Sequence, residues 1–314
     1  MAEFRIAVVG AGGVGGYFAG VLARSGAWVG LLARGDQLAA IGRDGLQVLT
    51  PESEFTVKPA RVTSDPVAIG PVNAVLVAVK AWQVAEAAEL IRPLLGDASR
   101  VLPMQNGIEA PSILRRTLRP ELVLDGVCRI VSEVVAPGIF RHVGVQPTVH
   151  FGEANGGKLS ATSVALRDAL IAAGVTVHAP VDTRVALWEK LHFLASLSAV
   201  AAVARVPVGG IRGSAATRGL VLQAMREVEA VAASAGAPLP EEAVARSVAM
   251  FENMPAESTV SMQRDMAAGR PSELDAIVGV VVRLGHEHRV PTPVMETLNA
   301  VLLPQEELAR SLRG

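Results

Sequence analysis

The sequence predicts an α/β chain in which an N-terminal, doubly wound parallel sheet is followed by an all-helical half. Up to about residue 180, short apolar runs rich in β-branched residues alternate with helical patterns, and beyond it only helical patterns remain. Because 314 residues exceed one ordinary hydrophobic core, we expect two domains, 1–181 and 182–314, with a hinge near 179–182.

The first element is the apolar run RIAVV (5–9), typical of a strand buried on both faces. A turn with the spacing G-x-G-x-x-G leads into a helical pattern from Val14 to Ser25, and a second apolar strand follows at 28–33. Between a strand and a helix, this spacing is the dinucleotide-binding fingerprint of Rossmann-type sheets; the alternative is a glycine turn without a ligand. The residues predicted to bind the cofactor here are Gly10, Ala11, Gly12, Gly13, Val14 and Gly15.

The residue after the second strand indicates which dinucleotide binds. NAD-binding sheets usually carry an acid there for the ribose 2′-hydroxyl, whereas this chain has Arg34. A guanidinium is the natural partner of a 2′-phosphate, so NADP is favoured. Asp36 would argue for NAD if the strand ended later.

Polar residues follow the next two predicted strands. The run NAVLVAVK ends at Lys80, and RVLPMQNG ends in an Asn106-Gly107 turn. Because ligands of open α/β sheets lie beyond the carboxyl ends of strands, Lys80 and Asn106 are candidate site residues. The alternatives are a solvated lysine and ordinary turn chemistry. The runs GIFRHVG (138–144) and PTVHFGE (147–153) are expected to be antiparallel strands that complete or flank the sheet.

The helical half opens with an apolar pattern that contains one lysine. Lys190, Leu194 and Ser198 recur at four-residue spacing and therefore share a helix face. Lys190 is a functional candidate, but its ammonium could also reach solvent or a nearby acid. The predicted helices are 183–204, 217–236, 241–253, 258–268, 272–288 and 293–302.

Further along, the segment ESTVSMQRDMAAGRPSELDAIVG supplies Ser261 and Glu273 as polar candidates. Ser272 and Asp275 have the spacing of a capping box, so Glu273 could merely favour the helix dipole. The histidines show no metal-ligand spacing, which predicts no metal, and no G-x-S-x-G elbow indicates a serine hydrolase.

Composition narrows the class of partner. The formal net charge is -1, with acids and bases interspersed, so nucleic acid is not an expected partner. A single cysteine, Cys128, is compatible with a reducing compartment. The first strand begins by about Phe4 and the longest apolar stretch, 193–204, is too short to span a bilayer, so we expect a cytoplasmic protein without a leader or membrane anchor. The apolar helical half could support a homodimer.

As a set, the motifs resemble the ketopantoate reductase (2-dehydropantoate 2-reductase) family along essentially the whole chain. The resemblance implies NADPH-dependent reduction of ketopantoate to pantoate, on the route to pantothenate and coenzyme A. It also implies a small 2-oxo acid as the binding partner. The matching stretches are GAGGVGGYFAGVLARSG, LLARG, AVKAWQV, LPMQNGIE, ALWEKL, SMQRDMAAGRPSELDAIVGVVVRLG and VPTPV.

The same resemblance assigns roles to single residues. It implies that Lys190 is the catalytic lysine and Glu273 an essential glutamate. The residues implied to contact substrate or cofactor are Ser261 (substrate), Asn106 (nicotinamide and substrate), Lys80 (cofactor) and Arg34 (2′-phosphate).

Two positions depart from the family pattern. Asparagines that contact substrate are common four and eight residues after the lysine, where this chain has Leu194 and Ser198. Leucine cannot hydrogen-bond a substrate hydroxyl. A reductase of another, more apolar 2-oxo acid or related carbonyl is therefore an alternative, and a non-catalytic NADP-binding sensor is a minor one.

Overall fold

The computed structural model describes residues 3–144, 146–154, 156–179 and 182–312. Contacts between Cα atoms divide the chain into two compact units. The first contains the residues up to Gln105 and Glu109–Thr183, and the second contains Asn106–Ile108 and the chain from Arg184 onward. The division therefore falls after Thr183, and part of the expected hinge, Pro180 and Val181, lies outside the described residues.

The first unit holds the strands of the chain. Its helices are α1 (Gly13–Arg24), α2 (Gly35–Asp44), α3 (Val84–Leu90), α4 (Ala110–Thr117) and α5 (Ala161–Ala172). The strands are β1 (Arg5–Val9), β2 (Trp28–Leu32), β3 (Leu46–Leu49), β4 (Glu54–Val57), β5 (Arg61–Thr63), β6 (Val72–Val77), β7 (Leu95–Pro103), β8 (Asp125–Arg129), β9 (Ser132–Ala136), β10 (Ile139–His142), β11 (Thr148–Gly152) and β12 (Thr176–His178).

Five of these strands form one parallel sheet in the order β5-β2-β1-β6-β7. The chain winds outward from β1 in both directions, which confirms the predicted doubly wound, Rossmann-type fold. Both faces are buried: Ile6 and Val8 of β1 contribute to one apolar cluster, and Ala7 and Val9 contribute to the other. Because both faces are covered, the strand reads as a continuous apolar run rather than an alternating one.

Two smaller sheets contain the remaining strands. Strand β10 pairs antiparallel with β9 but parallel with β3, in a four-stranded sheet of order β4-β3-β10-β9. Strand β11 pairs antiparallel with β8 and parallel with β12, in a three-stranded sheet. The runs GIFRHVG and PTVHFGE thus form antiparallel pairs, as expected, in two separate smaller sheets, but each strand also has a parallel partner that the sequence did not indicate. Their parallel partners are distant in sequence, and no local pattern identifies them.

Helix α1 packs between the parallel sheet and the four-stranded sheet, and glycines make this possible. A Cβ on Gly16 would overlap the Phe140 ring, and one on Gly20 would overlap Val48. A Cβ on Gly13 would lie 2.7 Å from the Ser132 carbonyl oxygen. The glycines beyond the fingerprint thus bring strands β3, β9 and β10 against the helix.

The second unit is helical, as predicted. Within the described residues its helices are α6 (Thr183–Ala204), α7 (Val208–Gly213), α8 (Ala215–Ser234), α9 (Glu241–Asn253), α10 (Ser261–Ala267), α11 (Val280–His288) and α12 (Pro293–Ser311), with a π-helical segment, Asp275–Gly279, before α11. Sequence patterns missed α7 and ended the last helix too early, at 302. Helix α12 continues through Pro304 because Leu302, Glu306 and Ala309 are buried, and tertiary packing overrides the proline.

The capping box predicted at Ser272 and Asp275 is wrong. The Ser272 hydroxyl donates to the Glu306 carboxylate at 2.6 Å and accepts the Leu274 N–H at 3.2 Å. Asp275 instead forms an ion pair with Arg283 on the protein surface. The Glu306 carboxylate of α12 thus takes the place expected for Asp275, while the Ser272 hydroxyl still accepts a backbone N–H as in a helix cap.

By length and composition, α6 is apolar enough to cross a membrane, although the apolar run 193–204 alone suggested otherwise. Within its most apolar window, 67% is buried among the described residues. A core helix of a folded domain has this burial as well as this composition.

Within α6, the imidazole of His192 has no exposed surface. Burial lowers the pKa of His192 to about 4, against weaker opposing effects of Glu189 and the Met225 backbone. The folded state therefore binds the proton less readily than the unfolded state, whose histidine titrates near its ordinary value.

We expect this difference to make stability fall as the pH drops from 6.5 towards 4, by about 3 kcal/mol over the window. His192→Phe removes the titrating group, so its free energy of unfolding should depend less on pH in that window. Urea unfolding followed by circular dichroism at a series of pH values measures both slopes. Equal pH slopes of the unfolding free energy in the two proteins would contradict a lowered pKa of His192. Above pH 7 the unfolding free energies of the two proteins should change with pH in the same way.

Candidate functional site

Glycines hold the turn after β1 against the carboxyl ends of the strands. Gly10 has φ +102°, a conformation that L side chains rarely adopt, and its N–H donates to the Leu32 carbonyl at 3.1 Å. Gly15 lies so close to the Gly10 carbonyl that a Cβ there would overlap it. Helix α1 can therefore start directly against the end of β1, as the fingerprint requires.

Helix α1 begins at this turn with backbone N–H groups that no side chain caps. Its first intrahelical bond runs from the Gly16 N–H to the Gly12 carbonyl at 2.8 Å, which leaves the preceding N–H groups for a ligand. A Cβ on Gly12 would meet nothing within 4 Å, so the backbone there is open. Ala11 and Val14 pack, half-buried, against the core below. This arrangement fits the pyrophosphate of a dinucleotide.

Arg34 lies two residues beyond the end of β2, at the start of α2. Its Nη1 donates to Glu86 Oε1 at 3.1 Å, and both side chains are exposed. Exposed ion pairs contribute little to stability, so the guanidinium can exchange Glu86 for a phosphate at little cost. Strand β2 ends at Leu32, not later, and Asp36 lies in the first turn of α2. The condition under which Asp36 argued for NAD is therefore not met.

Loops, rather than strand ends, carry the next two candidates. Strand β6 ends at Val77, before Lys80, and β7 ends at Pro103, before Asn106. The Lys80 ammonium lies 5.8 Å from the centre of the Trp82 ring, a cation–π distance.

Sequence reasoning missed Gln105, whose buried side chain holds the loop after β6. Its Nε2 donates to the carbonyl oxygens of Val77 at 2.8 Å and Val79 at 3.0 Å. The side chain thereby fixes the backbone that leads to Lys80. A polar residue directly after an apolar strand was the available signal.

In the helical unit, Asn106 and Glu273 come together although 167 positions separate them in the chain. The Asn106 Nδ2 donates to Glu273 Oε2 at 2.8 Å. Glu273 is buried, with 7% of its surface exposed. A charged acceptor makes such a hydrogen bond short and strong, so it fixes the direction of both side chains.

The predicted functional residues on one face of α6 become more buried along the helix. Lys190 and Leu194 are half-buried, and Leu194 packs against the helical core. Ser198 is fully buried, and its hydroxyl has no hydrogen-bond partner among the described residues. Next to the lysine, Glu189 accepts a hydrogen bond from Arg246 on α9 at 3.0 Å. This contact links α6 to α9 at the turn that carries Lys190.

Ser261 is the first residue of α10, which begins there and not at 258 as predicted. The side chain is half-buried. Gln263 fixes the start of the helix, because its Nε2 donates to the Val206 carbonyl at 2.9 Å and its Oε1 accepts the Val260 N–H at 3.4 Å. The loop ahead of Ser261 is tied to α7 by the Val208 N–H, which donates to the Ser258 carbonyl at 3.0 Å.

The structure groups no three His, Cys, Asp or Glu side chains as a metal site within the residues that it describes. Cys128, the single cysteine, is a buried thiol.

Both halves of the chain match models of one protein family. The model described as ketopantoate reductase PanE/ApbA matches residues 6–156, and the model of the C-terminal part of the same family matches residues 182–306. The chain belongs to the ketopantoate reductase family. It is therefore an oxidoreductase, of a family that acts on a small 2-oxo acid.

Relatives support this assignment along the whole chain. A 2-dehydropantoate 2-reductase of Mesorhizobium japonicum is 30% identical over 97% of this chain and 98% of the relative. The crystal structure of a PanE/ApbA family ketopantoate reductase from Ralstonia eutropha is 31% identical, with a TM-score of 0.89 over 98% of this chain and all of that one.

The family fold also occurs in an enzyme that has another substrate name. D-mandelate dehydrogenase, in a ternary structure with NADH and anilino(oxo)acetate, superposes with a TM-score of 0.88 over 98% of this chain and 99% of that one, at 22% identity. At this identity the likeness shows the fold alone.

Gly107, the residue after Asn106, packs tightly within the helical unit. Its φ is +86°, and a Cβ there would lie 2.5 Å from the Ala276 carbonyl oxygen. We expect Gly107→Ala to destabilise the protein by several kcal/mol, because it adds a backbone clash to the strain of a positive φ. Urea unfolding measures this loss.

The matched control is Gly236→Ala. Gly236 has φ +79° but open space around its Cβ direction, so the control should lose only about 1 kcal/mol. Similar losses for the two variants would show that the clash at Ala276 does not matter.

Proposed function

We propose that the protein reduces ketopantoate to pantoate with NADPH, in the pathway to pantothenate and coenzyme A. The observation that carries this proposal is the hydrogen bond between Asn106 and Glu273, in a chain whose two halves both match the family. The family match supports this reaction, and the contact supports a paired role for these two residues. A cytoplasmic location and a homodimer remain predictions.

Lys190 is proposed as the proton donor. A nicotinamide cofactor, when bound, supplies the hydride that adds to C2 of the 2-oxo acid. The Lys190 ammonium hydrogen-bonds the carbonyl oxygen, stabilises the negative charge that develops on it and transfers a proton to it. Solvent then returns a proton to the amine. The apolar surroundings of α6 strengthen this electrostatic effect.

Glu273 and its partner are proposed to orient the substrate. The buried carboxylate accepts a hydroxyl of the substrate or holds the lysine, while Asn106 restricts its direction. Ser261 offers a hydroxyl as a further donor. Fixed polar groups of this kind lower the barrier because they need no reorganisation during the reaction.

NADP is the proposed cofactor because Arg34, an arginine rather than an acid, follows the second strand of the sheet at the start of α2. Its exposed ion pair with Glu86 can be exchanged for a phosphate at little energetic cost. The turn at Gly10–Gly15 accommodates the pyrophosphate, and Lys80 adds a positive charge on the neighbouring loop.

A second candidate substrate is a 2-oxo acid with a more apolar side chain. Leu194 lies one helical turn beyond Lys190 and packs against the helical core, so it offers a substrate no hydrogen bond. Ser198, one turn further, is fully buried. D-mandelate dehydrogenase, in complex with anilino(oxo)acetate, shares the fold of this chain.

The proposal is tested by following the nicotinamide absorbance with ketopantoate and with a panel of aliphatic and aromatic 2-oxo acids. We expect ketopantoate to have the highest kcat/KM, and Lys190→Ala to lower its turnover by orders of magnitude while NADPH still binds. Higher kcat/KM with an apolar 2-oxo acid would favour the second candidate. No oxidation of NADPH with any substrate would favour a sensor, and wild-type turnover in Lys190→Ala would refute the role of the lysine.

Cofactor choice is tested with Arg34→Ser. Loss of a charge-assisted bond to phosphate should raise KM for NADPH by about tenfold to a hundredfold and leave KM for NADH nearly unchanged. Arg43→Ser is the matched control, because Arg43 is an exposed arginine of the same helix paired with Asp44. A KM for NADPH that does not respond to Arg34→Ser, or responds equally to both variants, would contradict the assignment.

A further inference from the structure

Ser272, the residue immediately before Glu273, is held by a carboxylate from the last helix. Ser272 is fully buried, and its N–H donates to both carboxylate oxygens of Glu306, at 3.1 and 2.8 Å. Its hydroxyl donates to Glu306 Oε2 at 2.6 Å. One side chain on α12 thus accepts every hydrogen that Ser272 can donate.

Glu306 is 4% exposed, so its carboxylate is removed from water and needs partners. Arg310, one turn later on α12, approaches Glu306 Oε1 at 2.7 Å and donates to the Ser272 carbonyl at 3.3 Å. The arginine therefore contacts both the acid and the residue that the acid holds. Glu306, Arg310 and Ser272 thus each contact the other two, directly before Glu273 in the chain.

Hydrogen bonds also restrict the backbone that follows Glu273. The Ser272 hydroxyl accepts the Leu274 N–H at 3.2 Å. The Glu273 carbonyl accepts the Ile277 N–H at 3.0 Å, in the π-helical segment. With its backbone fixed, Glu273 directs its carboxylate to the Asn106 amide. π-helical turns within helices occur frequently at functional sites.

We propose that Glu306, supported by Arg310, is a positioning residue that sets the direction of the Glu273 carboxylate by fixing Ser272. The catalytic meaning of this role rests on the proposed function of Glu273, but the geometric claim does not. The hydrogen bonds of Glu306 go to Ser272 and its ion pair goes to Arg310, so its effect on Glu273 passes through the backbone.

The geometric claim is tested on the free protein by NMR. Glu306→Gln keeps the shape but places an amide donor opposite the donors of Ser272. The chain has five asparagines, so selective ¹⁵N-asparagine labelling resolves the Asn106 side-chain amide, which Asn106→Asp assigns. We expect this resonance to shift in Glu306→Gln.

Glu227→Gln is the matched control. Glu227 is also a buried carboxylate, 7% exposed, and accepts two backbone N–H groups of the same helix, from Val294 at 3.0 Å and Met295 at 2.9 Å. It should lower the melting temperature without moving the Asn106 resonance. An unchanged resonance in Glu306→Gln, or the same shift in both variants, would overturn the proposal.

A double-mutant cycle tests the catalytic consequence. We expect Glu306→Gln to lower kcat/KM by about tenfold to a hundredfold through misplacement of Glu273. In a Glu273→Gln background the same change should matter less than about twofold, because the group it positions is gone. Equal effects in both backgrounds would overturn the positioning role. If no 2-oxo acid is reduced, the proposed function fails, and the NMR test still decides whether Glu306 directs Glu273.

Discussion

Helix α1 is packed between two sheets at a distance that only glycine allows. On one side, Gly15 contacts the turn that ends β1, and on the other, Gly16 and Gly20 meet Phe140 and Val48. Packing at this density leaves no room for even one methyl group. Because the helix is fixed from both sides, its N-terminal N–H groups stay aimed at the space in front of Gly12. The loops that carry Arg34 and Lys80 follow strands β2 and β6, which flank β1 in the parallel sheet.

Local sequence patterns predicted the elements that are determined locally. The bounds of α6 and α9, the strand–turn–helix start of the chain and the helical second half could be predicted, because apolar periodicity and proline and glycine positions set them. The partners of β10 and β11 could not, since their parallel neighbours lie far away in the chain. The extension of α12 past Pro304 depends on packing that no local rule contains.

In the candidate site, too, some features follow from local sequence and others only from tertiary packing. Residue type and spacing were enough to select Asn106 and Glu273, but only the fold brings them within hydrogen-bonding distance. Gln105 was overlooked because a glutamine after a strand is an ordinary sequence context. Glu306 was overlooked because it lies beyond the predicted end of the last helix, at 302. In the structure, buried carboxylates of the helical unit accept backbone N–H groups that would otherwise lack partners. Buried carboxylates in this unit therefore fix the backbone, in addition to any part they take in the reaction.

The Asn106-Gly107 pair also bears on how the protein ages. Asparagine followed by glycine is the dipeptide most prone to deamidation, because an unhindered glycine nitrogen can attack the side-chain carbonyl and release ammonia. Here the amide nitrogen is held by Glu273, and Gly107 is fixed in a left-handed conformation against Ala276. Both restraints oppose the ring closure that deamidation needs. Once it occurred, an aspartate would face the buried Glu273 carboxylate, and the two negative charges would repel each other. The folded state thus protects the Asn106 amide, whose neutrality keeps a second negative charge away from Glu273.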